Sequence, residues 1–359
     1  MSATKDRAKL FVSEADLHGI IPIKAANEAV RRAFEDWSTN DGLNAMRQRM
    51  HAPSGVRVTT HPGISPSQGE GGVLVHCELV NAASDVQVYE NMAPPVTVLY
   101  NSENGDLDAV LVGALSCAEL PDLHSFTSVR TAATSAMGTF AMAREDAKVL
   151  GIFGTGDQAR THLVSFLAER PFDRVVVYSR DVDNRKLFAD EMAPLVGVDV
   201  EVADEPGAVV AAADIILTAT NSNVAVFDGA LLRPGQHVKS IVGSNMGLVK
   251  SGQVRAQRRE LDDATLLGAN RIGLVSKGQA IHDKQGDIFA QVESGQLSWD
   301  RIVELTELAS GTPGRHSRDE VTVFKNNGGM GIADVAVAAA AYRAAADKGL
   351  GRDLFATAN

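Results

Sequence analysis

Cysteine is nearly absent: Cys77 and Cys117 are the two in 359 residues. With no CxxC pair and no Cys/His cluster at ligand spacing, neither a disulfide-built scaffold nor a zinc motif is expected. The reading is two reduced thiols and no metal. Aromatics are also few, at 5% of the chain. Positive charge falls short of negative, with 34 Lys and Arg against 45 Asp and Glu, a formal net charge of −11. Such a mean field repels phosphate, which argues against a general nucleic-acid or anionic-membrane binder but leaves room for local anion sites. No run approaches the roughly 18–20 apolar residues of a membrane span. The opening stretch MSATKDRAKLFVSEADL lacks the apolar core of a signal peptide, so the expected address is the cytoplasm.

What the chain does contain is an ordinary globular mixture, 45% hydrophobic and 22% charged, with 32 glycines. Its length suits two domains better than one core, and its Ala/Val/Gly-rich texture suits helices packed closely on sheets.

The texture changes along the chain. A short strand at Leu10–Val12 leads to a Ser13 cap and then a helix over 24–37, with an apolar stripe at Ala25, Ala29, Val30, Ala33 and Phe34. Between 55 and 115 come β-rich runs (VRVTTH, GGVLVHCELV, PPVTVLY, LDAVLVGAL) punctuated by Gly, Pro and Asn, the pattern of an antiparallel sheet. Residues 127–144 read as a long small-residue helix. From Lys148 the order becomes strand, helix, strand, helix, which predicts a Rossmann-type parallel sheet with covering helices. A late strand, VTVFKNN, and an Ala-rich helix close the chain. The expected fold class is α/β: a Rossmann-type parallel-sheet domain plus a mixed α+β domain.

The strongest motif is GxGxxA at Gly154, Thr155, Gly156, Asp157, Gln158 and Ala159, set between a predicted strand and a predicted helix. Gly154 permits a tight turn, Gly156 lets backbone approach a pyrophosphate, and Ala159 lets helix and strand pack closely. The helix N-terminus then offers free N–H groups to the anion. The next strand ends at Ser179 and Arg180, with Arg185 and Lys186 near, and no acid stands at its tip to accept ribose hydroxyls. A guanidinium there favours NADP(H) over NAD(H). The alternative is a solvated Arg180, with Asp181 serving the ribose. Thr220 and Asn221 end another strand, at the carboxyl edge where a Rossmann sheet meets its ligand, and are expected at the nicotinamide ribose.

Four segments together resemble the ornithine cyclodeaminase/mu-crystallin family: TSVRTAATSA at 127–136, the turn at 154–159, IVGSN at 241–245, and the stretch from Arg318 to Phe324 through Gly331–Asp334. The resemblance covers roughly residues 10–350 and is weakest over 50–95. It implies a homodimer, with a substrate and dimerisation domain built from 1–130 plus 315–359 and a nucleotide domain at 131–314. It also implies hydride transfer between nicotinamide and the α-carbon of a small amino or imino acid. Members include ornithine and lysine cyclodeaminases, amino-acid dehydrogenases, ketimine reductases and NADPH-binding mu-crystallins.

By the same resemblance, Arg130 would hold the substrate carboxylate, a task suited to its fork; the competing role is a structural salt bridge. Thr131 would lie beside the cofactor phosphates, or be a plain helix residue. Arg49 matches the family's earlier substrate arginine, with Arg47 as competitor and a solvated surface arginine as the alternative. Gly243 and Asn245 fall in a cofactor-contacting segment, and Gly329 lies in a glycine loop expected to approach the nicotinamide, or to be a plain turn, ahead of Asp334 as a helix cap. Two departures stand out. The lysine usual on the second strand of the N-terminal sheet is missing. Glu78 takes its place in our register, with His76 on the same face, and either suits proton transfer; an ordinary strand pair is the alternative. Asn245 stands where cyclodeaminases carry an Asp base, which disfavours ammonia loss. His51, His61, His124, His282 and His316 receive no role.

Overall fold

A computed structural model describes residues 7–80, 89–91, 93–123, 125, 127–241, 249 and 258–356. The chain forms two units. The first comprises Met1–Leu79, Glu90–Arg130 and Gly329–Asn359, and the second Val80–Tyr89 and Thr131–Gly328.

The first unit carries β1 (Leu10–Val12), β2 (Leu43–Asn44), β3 (Gln48–His51), β4 (Val56–Ser65), β5 (Glu70–Val80), β6 (Tyr89–Asn91), β7 (Val96–Asn101) and β8 (Leu107–Val112). β4, β5, β7 and β8 pair antiparallel in that order, while β1 joins β8 in parallel. Helices α1 (Glu14–Leu17) and α2 (Ile23–Ser38) follow β1. Ser13 stands at the N-cap position of α1, where the Asp16 carboxylate accepts its N–H at 2.9 Å and its hydroxyl at 2.6 Å. The apolar stripe of α2 is buried at Ala29, Val30, Ala33 and Phe34.

The C-terminal helix Gly331–Asp347 is buried nearly all round. Its alanines allow that close fit, and two glycines set its depth. A Cβ on Gly63 of β4 would stand 2.2 Å from Ile332 N, and one on Gly331 would stand 2.1 Å from Pro62 O. Helix and strand therefore meet backbone to backbone, and the helix's first turn is carried onto β4.

The second unit is an eight-stranded sheet. It comprises β9 (Val149–Phe153), β10 (Arg174–Tyr178), β11 (Val200–Val202), β12 (Ile215–Thr218), β13 (His237–Ser240), β14 (Arg271–Leu274), β15 (Ile302–Glu304) and β16 (Thr322–Lys325). Every pair is parallel, in the order β11-β10-β9-β12-β13-β16-β14-β15. Its first five strands have the doubly wound order of dinucleotide-binding sheets. The central strands are apolar without alternation because helices such as α4 (Asp157–Glu169), α5 (Val182–Val196) and α6 (Pro206–Ala212) cover both faces. Helix α3 (Ser128–Met142) begins in the first unit and runs on in the second.

One boundary differs from the sequence reading. Residues from 315 onward were expected in the substrate domain, yet β16 pairs with β13 and β14 inside the parallel sheet. VTVFKNN is short and apolar, and nothing local says which sheet it joins. Among the described residues no helix is long and apolar enough to cross a membrane, and Cys77 and Cys117 are free thiols.

Candidate active site

The turn after β9 has the form its sequence predicts. Gly154 has φ +110°, and a Cβ there would meet Ala219 O at 2.2 Å. A side chain is excluded by both backbone conformation and space. Gly156 caps α4 with no side-chain cap, and a Cβ built on it meets nothing within 4 Å. The first N–H groups of α4 have no partner within the helix, so the turn presents donors to open space, as a diphosphate requires. Ala159 is fully buried and closes helix on strand. Thr155, Asp157 and Gln158 line the same turn, and the Thr155 carbonyl accepts from Arg160. These residues fit a dinucleotide.

At the end of β10, Arg180 is exposed and Ser179 half-buried. Asp181, the alternative ribose ligand, accepts the Asn184 N–H at 2.9 Å as the cap of α5. Arg185 departs from expectation. It is buried, donates to the carbonyl of Ala203, and lies with its guanidinium 4.7 Å from the Tyr178 ring centre. Helical periodicity turns it inward, so it joins the ends of β10 and β11 rather than reaching a phosphate.

Thr220 also departs. Its N–H and hydroxyl both donate to the buried Glu260 carboxylate, at 2.6 and 2.9 Å, and Thr218 and Ser240 donate to the same group at 2.9 Å. Asn221 is exposed beside it. The Thr131 carbonyl accepts from Ser135 at 2.7 Å and from Asn326 at 3.1 Å. Gly243, Asn245 and His124 lie outside the described residues.

In the first unit, the inward face of the antiparallel sheet is charged. Strand alternation turns Arg57, Thr59 and His61 to one side of β4, and register sets Glu78 beside Arg57 and His76 beside Thr59 on β5. Arg49 of β3 stands opposite Thr59, and Arg47 precedes it, buried. Onto this face come two residues from distant sequence. Arg130, in the first turn of α3, donates from Nε to Asp334 Oδ1 at 2.7 Å. Asp334 Oδ2 lies 2.8 Å from His61 Nδ1. Gly329 sits against both basic groups, since a Cβ there would be 2.4 Å from His61 Cε1 and 3.0 Å from Arg130 Nη2. It was expected to approach the nicotinamide; within its own unit it packs on the charged face.

The electrostatics follow from burial. Desolvation pushes the His76 pKa down to about 3, and nearby His61 and Arg57 add to the effect. His61 is lowered for the same reason, against the opposing pull of Asp334. Burial would raise the Asp334 carboxyl, but Arg130 and His61 hold it below the usual carboxylate range. Both histidines are thus neutral at neutral pH, and Asp334 is charged.

Two expectations change here. Glu78 is ion-paired with Arg57, the two side chains 11% and 5% exposed. Its charge is already answered, which removes it both as a free proton carrier and as a lure for a cationic substrate. Asp334 is not a helix cap, because the cap position is Met330 and Asp334 points to Arg130 and His61. The residues the sequence reading missed are Arg57, His61 and Asp334. A signal for the first two was present, since Arg57, Thr59 and His61 alternate along one strand. Asp334 stood out only as an acid in the first turn of an alanine-rich helix.

A Rossmann-type sheet with a diphosphate-ready turn, and a second unit bearing buried arginines, define a dinucleotide-binding class of fold. Residues 12–349 match the ornithine cyclodeaminase/mu-crystallin family, and the chain belongs to it. A Δ1-pyrroline-2-carboxylate reductase of Bacillus cereus is 29% identical over 348 residues, covering 96% of this chain and 99% of that one. The ketimine reductase mu-crystallin of Macropus fuliginosus is 29% identical, covering 72% of this chain and 74% of that one. The solved Δ1-pyrroline-2-carboxylate reductase of Thermococcus litoralis, in complex with NADH and L-proline, superposes with a TM-score of 0.80. Its identity is 26%, with 96% of this chain and 100% of that one covered.

Proposed function

We propose that this protein is an NADP(H)-dependent reductase of small, cyclic 2-imino acids, running in reverse as an amino-acid dehydrogenase. The observation that carries the reading is Arg130. It is a buried guanidinium whose Nε is fixed by Asp334 at 2.7 Å, in a family whose named relatives reduce Δ1-pyrroline-2-carboxylate or ketimines. Asp334 takes the Nε–H. The planar fork suits a carboxylate held beside the reacting carbon, and such positioning is the protein's main contribution in a cofactor enzyme. The bound nicotinamide would supply or accept the hydride. The turn at 154–159 would hold its diphosphate.

Arg180 supports a 2′-phosphate, because the nearby acid Asp181 is occupied as a helix cap. Arg180→Ala should weaken NADPH binding about ten- to a hundredfold and leave NADH binding unchanged, as read by fluorescence titration. Equal loss for both cofactors would refute the preference. The reading as a whole is tested by following nicotinamide absorbance with Δ1-pyrroline-2-carboxylate and Δ1-piperideine-2-carboxylate. Cofactor binding without turnover across that panel would sink it.

A homodimer belongs to the same proposal. Arg57, Thr59 and His61 of β4 and His76 and Glu78 of β5 face inward, and the opposite face of the sheet is largely apolar. Val58, Val73, Val75, Val96, Val98 and Val110 are half-exposed there, and Met50, Ile64 and Tyr100 are 59%, 39% and 46% exposed. A contiguous apolar sheet face is a surface that water disfavours and a second copy would cover.

A further inference from the structure

Two nitrogens of one imidazole are treated differently on the charged sheet face. His61 Nδ1 lies 2.8 Å from Asp334 Oδ2, while Nε2 is buried and has no hydrogen-bond partner among the described residues. An ionised carboxylate only accepts, so Nδ1 carries the proton in that contact and the exchangeable position is Nε2. The other oxygen of Asp334 receives Arg130 at 2.7 Å. One carboxylate thereby holds side by side a guanidinium and an imidazole that start 69 residues apart in sequence. A 2-imino acid presents the same pair of demands side by side. Its carboxylate carbon is bonded to the very carbon that is doubly bonded to nitrogen.

We propose that His61 is the residue that exchanges a proton with the substrate nitrogen, through Nε2, and that Asp334 is its positioning residue. This rests on the imino-acid reading above and assigns the proton step to a group other than Glu78 or His76. In reduction, the incoming hydride pair forms a C–H bond at the imine carbon. The π pair of the C=N bond moves to nitrogen and takes the proton from Nε2. The imidazolium becomes neutral imidazole, and solvent restores its proton. In oxidation Nε2 takes the proton from the amine.

The charged and titratable groups facing His61 come from every side. They are Asp334 on the C-terminal helix, Arg130 on α3, Arg47 ahead of β3, and His76 on β5, whose ring centre is 5.3 Å away at 86°. Burial and the two arginines keep the ring neutral when no substrate is present, against the pull of Asp334. A substrate carboxylate arriving at Arg130 offsets one of those cations, so protonation of His61 accompanies binding of the anion.

The test has two arms. The first follows the His61 ring resonances by NMR in the full chain, without cofactor, as pH is varied with and without pyrrole-2-carboxylate. The expected result is an upward shift of the titration midpoint on adding the analogue; an unmoved midpoint overturns the proposal. The second compares His61→Asn with His61→Gln. Asn keeps a donor toward Asp334 and loses Nε2, and Gln guards against a folding artefact. Both should lower kcat for imine reduction about a hundredfold or more, leave NADPH affinity unchanged, and lose the limb of the pH profile that His76→Asn retains. Rates within threefold of wild type, or a retained limb, overturn it. Wild-type protein with no turnover instead defeats the functional reading, and the NMR arm still decides the role of His61.

Discussion

Arg130 has two duties that separate experimentally. It neutralises a buried carboxylate, and breaking such a pair costs about 3–5 kcal/mol. It also supplies the fork proposed for substrate. Arg130→Lys keeps the charge and loses the fork, so it should lower kcat/KM for the imino acid about 10²- to 10³-fold with cofactor affinity intact. Arg130→Ala should in addition lower the melting temperature. If Lys matches wild type in kcat/KM, the carboxylate role fails. The charge and geometry of Arg130 were legible in the sequence because a guanidinium inside a small-residue helix demands a partner. The partner itself, Asp334, lies 204 positions away. No local rule connects the two, and the aspartate's position one turn into a helix invited a capping role instead.

At the scale of elements, the contact between β4 and the C-terminal helix decides whether the charged face exists. Gly331→Ala would drive a Cβ to 2.1 Å from Pro62 O. Neither atom belongs to a side chain that can rotate away, so strand and helix must part. The expected cost is about 3 kcal/mol or more in urea unfolding, with a fall in imino-acid affinity as Asp334 moves off His61. Stability within about 0.5 kcal/mol of wild type would show that the two elements are not held at this distance. Element types were well marked in the sequence: period-2 runs gave strands, and the Gly154–Ala159 turn opened α4. The destination of β16 was not marked. Strand pairing is long-range, and a four-residue apolar run suits either sheet.

For the whole molecule, titration sets an acid limit. His76 has its pKa depressed from 6.5 to about 3 by burial, and His61, His162 and His237 are depressed for the same reason. Between the unfolded and folded values the unfolded chain binds more protons, so stability rises with pH there. It is fully present above about 6.5 and is lost as pH falls toward 3. Glu70 runs the other way. Burial beside Asp108 raises it from 4.5 to about 8, so its contribution is present below 4.5 and lost as pH rises through 8. Melting temperature should fall steeply from pH 6.5 to 4. Glu70→Gln should flatten the alkaline side, and a profile unchanged by that variant would contradict the burial argument. Assembly is a second molecular property. Ile64→Arg, placed in the apolar outer face, should convert a dimer to a monomer on size exclusion, and an unchanged mass would place the interface elsewhere.

The sequence by itself determined the cofactor turn, the succession of strands and helices, and the acidic, cysteine-poor character of the chain. Those follow from local conformational preference and composition. Only tertiary structure decided that Arg185 turns inward, that Glu78 is answered by Arg57, and that His61, Asp334 and Arg130 meet. Side-chain partners across long separations are set by packing depth and strand register, which no stretch of chain encodes alone.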